Sequence, residues 1–195
     1  MPLLSIPNKP RLHLALYSRP KHPDEPHYAL LVTRKFSHAD CQRTISAVKF
    51  HVKNTILRGP DGYISQPWRF EHVDIADLAQ ESRLLVCVTI GKVRSLEKAQ
   101  GAFSRIAVPP EADQDSREDG VFDCRTWVRD ALETLRLSDS SDAVSGLREW
   151  TAVEQQTKEY LARKKQEGRW NASSSTMGTG LVPWFDLLTG QEIFS

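Results

Sequence analysis

The chain lacks most of the features that announce a function. Its 195 residues hold three cysteines, Cys41, Cys87 and Cys124. An odd number without framework spacing argues against a disulfide scaffold and for a reducing compartment. No CxxC pair, HExxH motif or glycine-rich phosphate loop is present. Neither a metal nor a cofactor is therefore expected. No apolar run approaches the roughly 18 residues of a membrane-spanning helix. The opening Met1-Pro2-Leu3-Leu4-Ser5-Ile6-Pro7 lacks the charged-then-apolar layout of a signal peptide. The expectation is a cytoplasmic protein with no membrane partner. The formal net charge is only +1, so no global field gathers nucleic acid, although a local basic face stays open. No internal repeat is visible.

What is present is the composition of a globular domain, with enough length for one real core. Strands are predicted at Leu12–Tyr17, His27–Val32, Ile45–Asn54 and Trp68–Ile75, from alternation and β-branched content. The continuous apolar run Leu84–Ile90 reads as the central strand. Three prolines between Ser18 and Pro26 mark a loop, and Gly59-Pro60-Asp61-Gly62 marks a turn. Ser95 is placed to cap a helix carrying Leu96, Ala99, Phe103 and Ile106, ended by Pro109-Pro110. Glu111 to Asp119 is an acidic loop, read as solvated or as a contact for a cationic substrate. A long amphipathic helix is expected over 140–167, with Leu147, Trp150, Val153, Tyr160 and Leu161 inward. Glu154/Lys158 and Glu159/Arg163 would pair on its surface. Residues 168–180 read as a flexible linker and 181–195 as a tail docking on the single domain, 10–167. Strands first and helices later give an α+β class, an antiparallel sheet packed with helices.

One stretch carries chemistry: Phe122-Asp123-Cys124-Arg125-Thr126-Trp127-Val128. Asp123 suits an N-cap and Cys124 then occupies the first helical position. There the helix dipole favours a thiolate, the nucleophilic form of cysteine. Trp127, Val128, Ala131, Leu132 and Leu135 share its face, so the thiol points inward. A structural cysteine opening a core helix fits the same pattern. A nucleophile needs a base and something to orient it. His27 opens a strand beside the proline-rich loop, and either His51 or Asn54 is available to orient it. A half-buried strand histidine is the plainer reading of each.

The remaining candidates are substrate contacts. Trp127 is either core or a pocket wall. Arg125 can bind a phosphate or carboxylate, or pair with an acid on its own helix. Glu71 is placed for a carboxylate–guanidinium contact. Lys158, Arg163, Lys164, Lys165 and Arg169 make the late helix basic, either a nucleic-acid surface or simple complementarity to the helix dipole.

The order of strand histidine first, helix cysteine later resembles the circularly permuted papain-like fold. That fold includes the NlpC/P60-type relatives, the lecithin-retinol acyltransferase-like proteins and the PPPDE peptidases. The resemblance runs from Leu12 to Leu135, on His27-Tyr28-Ala29-Leu30-Leu31-Val32 and Asp123-Cys124-Arg125-Thr126-Trp127-Val128. It implies a catalytic Cys124 with His27 as base; the longer spacing to His51 departs from the expected pattern and leaves the third residue open. Across its whole length the chain is also similar to small fungal proteins sharing Leu12-His13-Leu14-Ala15-Leu16-Tyr17-Ser18-Arg19-Pro20. Those are associated with fungal arginine-containing cyclodipeptide synthases. That likeness implies aminoacyl transfer, with a small-molecule or aminoacyl substrate and tRNA as partner. A cysteine peptidase or amidase and a non-catalytic binding module are the alternatives.

Overall fold

The computed structural model describes residues 9–40, 43–109, 122–137, 141–170 and 182–194. The acidic loop 111–119 and residues 171–180 of the expected linker lie outside the described residues. The four expected early strands form as β1 (Arg11–Tyr17), β2 (His27–Thr33), β3 (Ala47–Asn54) and β6 (Trp68–Ile75). A two-stranded hairpin of β4 (Leu57–Arg58) and β5 (Ile64–Ser65) spans the Gly59–Gly62 turn. β7 (Leu84–Val93) returns to pair with β1, so β1 is the middle of the sheet and β7 lies one place out.

The C-terminal segment is an integral part of this sheet. β9 (Trp184–Asp186) runs parallel to β7, and β10 (Gln191–Phe194) folds back on β9. With β8 (Val144–Ser145) beside β7, eight strands form one sheet in the order β10-β9-β7-β1-β2-β3-β6. The parallel β7–β9 pair makes the sheet mixed. A three-residue strand has too few positions for alternation to show, which is why its apolar run reads as a tail.

Three helices cover one face: α1 (Leu96–Ser104), α2 (Cys124–Leu137) and α3 (Trp150–Gln166). Ser95 caps α1 by accepting from Lys98 N–H. That helix stops at Ser104, ahead of Pro109. α3 starts ten residues later than expected. Val144 and Ser145 are drawn off to pair with β7, and Gly146 turns the chain at φ +84°. That left-handed value is incompatible with continuing a helix and suits glycine alone.

The core has two layers, set by the pleat. Leu12, Leu14, Leu16, Tyr28, Leu30 and Phe50 face the helices with Val128, Leu132 and Val153. Ala15, Tyr17, Ala29, Leu31 and Cys87 face the other way, where Phe36, Ile45, Leu78, Trp184 and Phe194 cover them. Burial on both faces explains why β1, β2 and β7 are nearly continuous apolar runs. No described helix is long and apolar enough to cross a membrane.

Candidate functional site

The first turn of α2 is fixed by a reciprocal cap. Thr126 N–H donates to Asp123 Oδ1 at 2.7 Å, and Asp123 N–H donates to Thr126 Oγ1 at 2.9 Å. This is a capping box with threonine in the third position, and it sets Cys124 as the first helical residue. The apolar face of α2 is buried as its spacing predicts. It drives the helix N-terminus against the opening of β2.

At that point the sheet splays. β2 keeps its Cα partners in β1 down to Tyr17↔His27, but its ladder with β3 ends at Leu30↔Phe50. Tyr28 has no partner in β3, and its N–H donates to Cys124 Sγ at 3.4 Å. The thiol thus sits at the backbone of the residue next to His27. The pleat sends the Tyr28 side chain to the helices, where its hydroxyl meets Glu154 at 3.3 Å. The His27 ring takes the opposite face. No hydrogen bond joins Cys124 to His27 among the described residues.

His27 is oriented by His51. Nε2 of His27 lies 2.9 Å from Nδ1 of His51, one ring donating and the other accepting. Nδ1 of His27 has no hydrogen-bond partner among the described residues. Burial pulls both histidines down, His27 to about 3 and His51 to about 4. For His27, the His51 ring and the charges of Arg19 and Lys49 add to the effect; for His51, Lys49 is the next cause. Both rings are neutral at neutral pH.

The thiol is neutral as well. Cys124 is 4% exposed, and burial raises its pKa to about 11. The Tyr28 N–H and Arg19 pull the other way without overcoming it. This corrects the expectation that the helix start lowers the thiol pKa. Desolvation of a buried anion outweighs the dipole and one N–H.

A cleft of about 820 Å³ opens beside the histidine pair. It is lined by the Ser18–His22 part of the proline-rich loop, by β3 and the residue after β5, and by Arg83. Asn54 lines it as the last residue of β3, whereas His51 holds the orienting position that the sequence left open between them.

The other expected contacts sit elsewhere. Glu71 lies opposite His51 on β6 and pairs with Lys53 at 2.8 Å. Trp127 is wholly buried between Phe70 and Phe103, so it is core and not a wall of this cleft. Its Nε1 has no hydrogen-bond partner among the described residues. Arg125 is committed to Glu154, with Nη2 at 2.7 Å from Oε2 and Nε on Oε1. No cluster of metal-ligating side chains occurs among the described residues.

Glu154 is the residue that sequence reasoning misplaced. It is 7% exposed and takes Arg125, Lys158 at 2.7 Å and the Tyr28 hydroxyl. Burial alone would raise its pKa, but the bonds from Arg125 and Lys158 hold it at about 2. It ties the residue after Cys124 to the residue after His27. The only trace in the sequence is the Glu154/Lys158 spacing, which normally marks a solvated face.

A family model described as a family of unknown function, DUF6914, matches residues 9–194. No curated protein matches the chain, and no solved structure does.

Proposed function

The chain belongs to the DUF6914 family, and since that is a family of unknown function we propose from the site itself that it catalyses thiol-dependent acyl transfer. Cys124 is the nucleophile, His27 the base and His51 the residue that orients His27. One observation carries this reading: Cys124 Sγ is held at the Tyr28 N–H, one residue from a histidine whose Nε2 is tied to His51. A helix-start thiol, a strand-start imidazole and an orienting third group are what nucleophilic catalysis requires. The same arrangement supports the permuted papain-like resemblance.

The protonation states select the mechanism. A neutral thiol and a neutral imidazole cannot act as a stored ion pair. The Sγ proton passes to His27 as Sγ attacks the acyl carbonyl, which requires the His27 ring to turn toward Cys124 when the acyl donor binds, since no hydrogen bond joins the two among the described residues. The Cys124 N–H, without an intrahelical partner at the first helical position, is available to the oxyanion. Collapse expels the donor's leaving group, which takes the proton from His27, and leaves a thioester. An incoming amine then displaces sulfur, forming an amide and restoring the thiol. Aminoacyl transfer from aminoacyl-tRNA to an arginine-containing cyclodipeptide is the most specific form, and it rests on the resemblance alone. Peptidase or amidase action would take an amide as acyl donor, release its amine, and use water as acceptor.

A non-catalytic binding module is the second reading, favoured by the burial and raised pKa of Cys124. Intact-mass spectrometry separates the two. The protein would be incubated with aminoacyl-tRNA and with simple thioester donors, then mapped for an adduct. A thioester on Cys124 that is absent from Cys124→Ser and slowed at least about tenfold in His27→Ala is expected. No adduct from any donor, with native folding retained, would leave the binding module.

A further inference from the structure

We infer that the cleft beside the histidine pair binds a ligand carrying more than one phosphate group. Its cations come from separate segments: Arg19 and Lys21 from the β1–β2 loop, Lys49 and Lys53 from β3, and Arg83 from the turn before β7. No aspartate or glutamate lines it among the described residues. Three of the five cations are paired with acids, Lys49 with Glu81 at 2.8 Å, Lys53 with Glu71 at 2.8 Å and Arg19 with Glu25 at 3.7 Å. Lys21 and Arg83 have no ion-pair partner among the described residues. Among the described residues, five cations against their three paired carboxylates leave an excess of two positive charges around one concavity. A near-neutral chain has gathered them here, and concave low-dielectric walls concentrate their field.

The size of the site selects the ligand. One carboxylate is satisfied by one or two of these groups. Cations spread around some 820 Å³ match several anionic centres held apart, as in a di- or polyphosphate. Lys49 lines the cleft with His27 and His51, its Nζ 4.9 Å from the Tyr17 ring centroid. Burial is the chief cause of the depressed histidine pKa values; Arg19 and Lys49 add to it at His27, and Lys49 and Lys53 at His51, where Glu71 and Glu81 oppose them. This inference meets the acyl-transfer reading only at His27 and His51, which line the cleft, whereas Cys124 does not; resting on that reading, it makes the leaving group of the donor a phosphate-bearing one. Phosphate binding itself requires no catalysis.

The test is direct titration of the full chain at constant ionic strength. Pyrophosphate, a short RNA hairpin and acetate would be followed by calorimetry. Saturable binding of pyrophosphate or of the hairpin, but not of acetate, is expected. Pyrophosphate binding would mean discrete phosphates suffice, whereas binding of the hairpin alone would mean a polynucleotide backbone is required. Lys21→Gln/Arg83→Gln removes two exposed, unpaired charges, so folding should persist, and it should weaken binding about tenfold. Failure of both phosphate probes to saturate, or affinity unchanged in the double variant, overturns the inference. A thioester on Cys124 with no phosphate binding would sink this inference alone. Phosphate binding with no acyl adduct would sink acyl transfer alone.

Discussion

Glu154 illustrates at the residue scale how a charged group is brought inside. The cost of desolvating a carboxylate is several kcal/mol. Here it is offset by two cations and the Tyr28 hydroxyl. Glu154→Gln keeps the volume and removes the charge. It should cost about 1–3 kcal/mol in urea unfolding, because bonds to charged groups are the stronger ones. Its pKa is lowered on folding, so its contribution is complete above the ordinary value of 4.5 and fades as pH falls toward about 2. Cys124 is the converse case, a group whose ionisation is opposed by burial. Iodoacetamide labelling of Cys124 should be slow at pH 7 and should climb toward pH 11, the thiolate being the reactive form. Fast labelling at neutral pH would contradict that. The cap at Asp123 and the inward thiol were legible in local spacing. Glu154 was not, because its partners are 29 and 126 residues away.

At the scale of elements, the C-terminal pair of strands closes the second core layer. Trp184 is 1% exposed, donates from Nε1 to Thr89 Oγ1 at 3.1 Å, and meets His13 and Phe36 edge-on. Tyr160 on α3 donates to Glu192 at 2.6 Å, and Lys164 pairs with it at 2.7 Å, fastening β10 to the helix. Trp184→Ala should cost about 3–5 kcal/mol in chemical unfolding, the range for deleting a buried aromatic. A loss below about 1 kcal/mol would mean the strand is only loosely attached. The strands β1 and β2 were legible as short apolar runs flanking a proline-rich loop, and β3 and β6 from alternation and β-branched content over eight residues each. The position of β7 and the start of α3 were not. Both depend on which neighbour captures backbone hydrogen bonds, as β8 does from β7.

For the whole molecule, three histidines set the response to mild acid, above the range in which Glu154 titrates. His13 is buried between Thr89 and Thr33 hydroxyls and is lowered to about 3, chiefly by burial. His27 and His51 are lowered to about 3 and about 4. In the unfolded chain each would take a proton near pH 6.5. Folding therefore opposes protonation, and the stability from keeping these rings neutral is complete above pH 6.5. It is lost as pH falls from 6.5 toward 3–4, by about 1.4 kcal/mol per pH unit for each histidine. Chemical unfolding at a series of pH values should show stability dropping below pH 6.5, and His13→Gln should flatten the slope by roughly a third. A pH-independent curve between 7 and 5 would refute the assignment of neutral rings.

By itself the sequence determined the α+β class, the early strands, the apolar stripe of α2 and the capped position of Cys124. Each follows from periodicity or capping within a dozen residues, where neighbours along the chain are neighbours in space. Tertiary structure decided the rest. It chose His51 to orient His27, buried Glu154, turned the C-terminal run into strands and gathered five cations around one cleft. These outcomes depend on contacts between distant segments and on how burial competes with charge, neither of which is recorded in local spacing. Burial also reversed the expected effect of the α2 dipole on the Cys124 thiol, since desolvation grows with depth while the dipole acts only over the first turn.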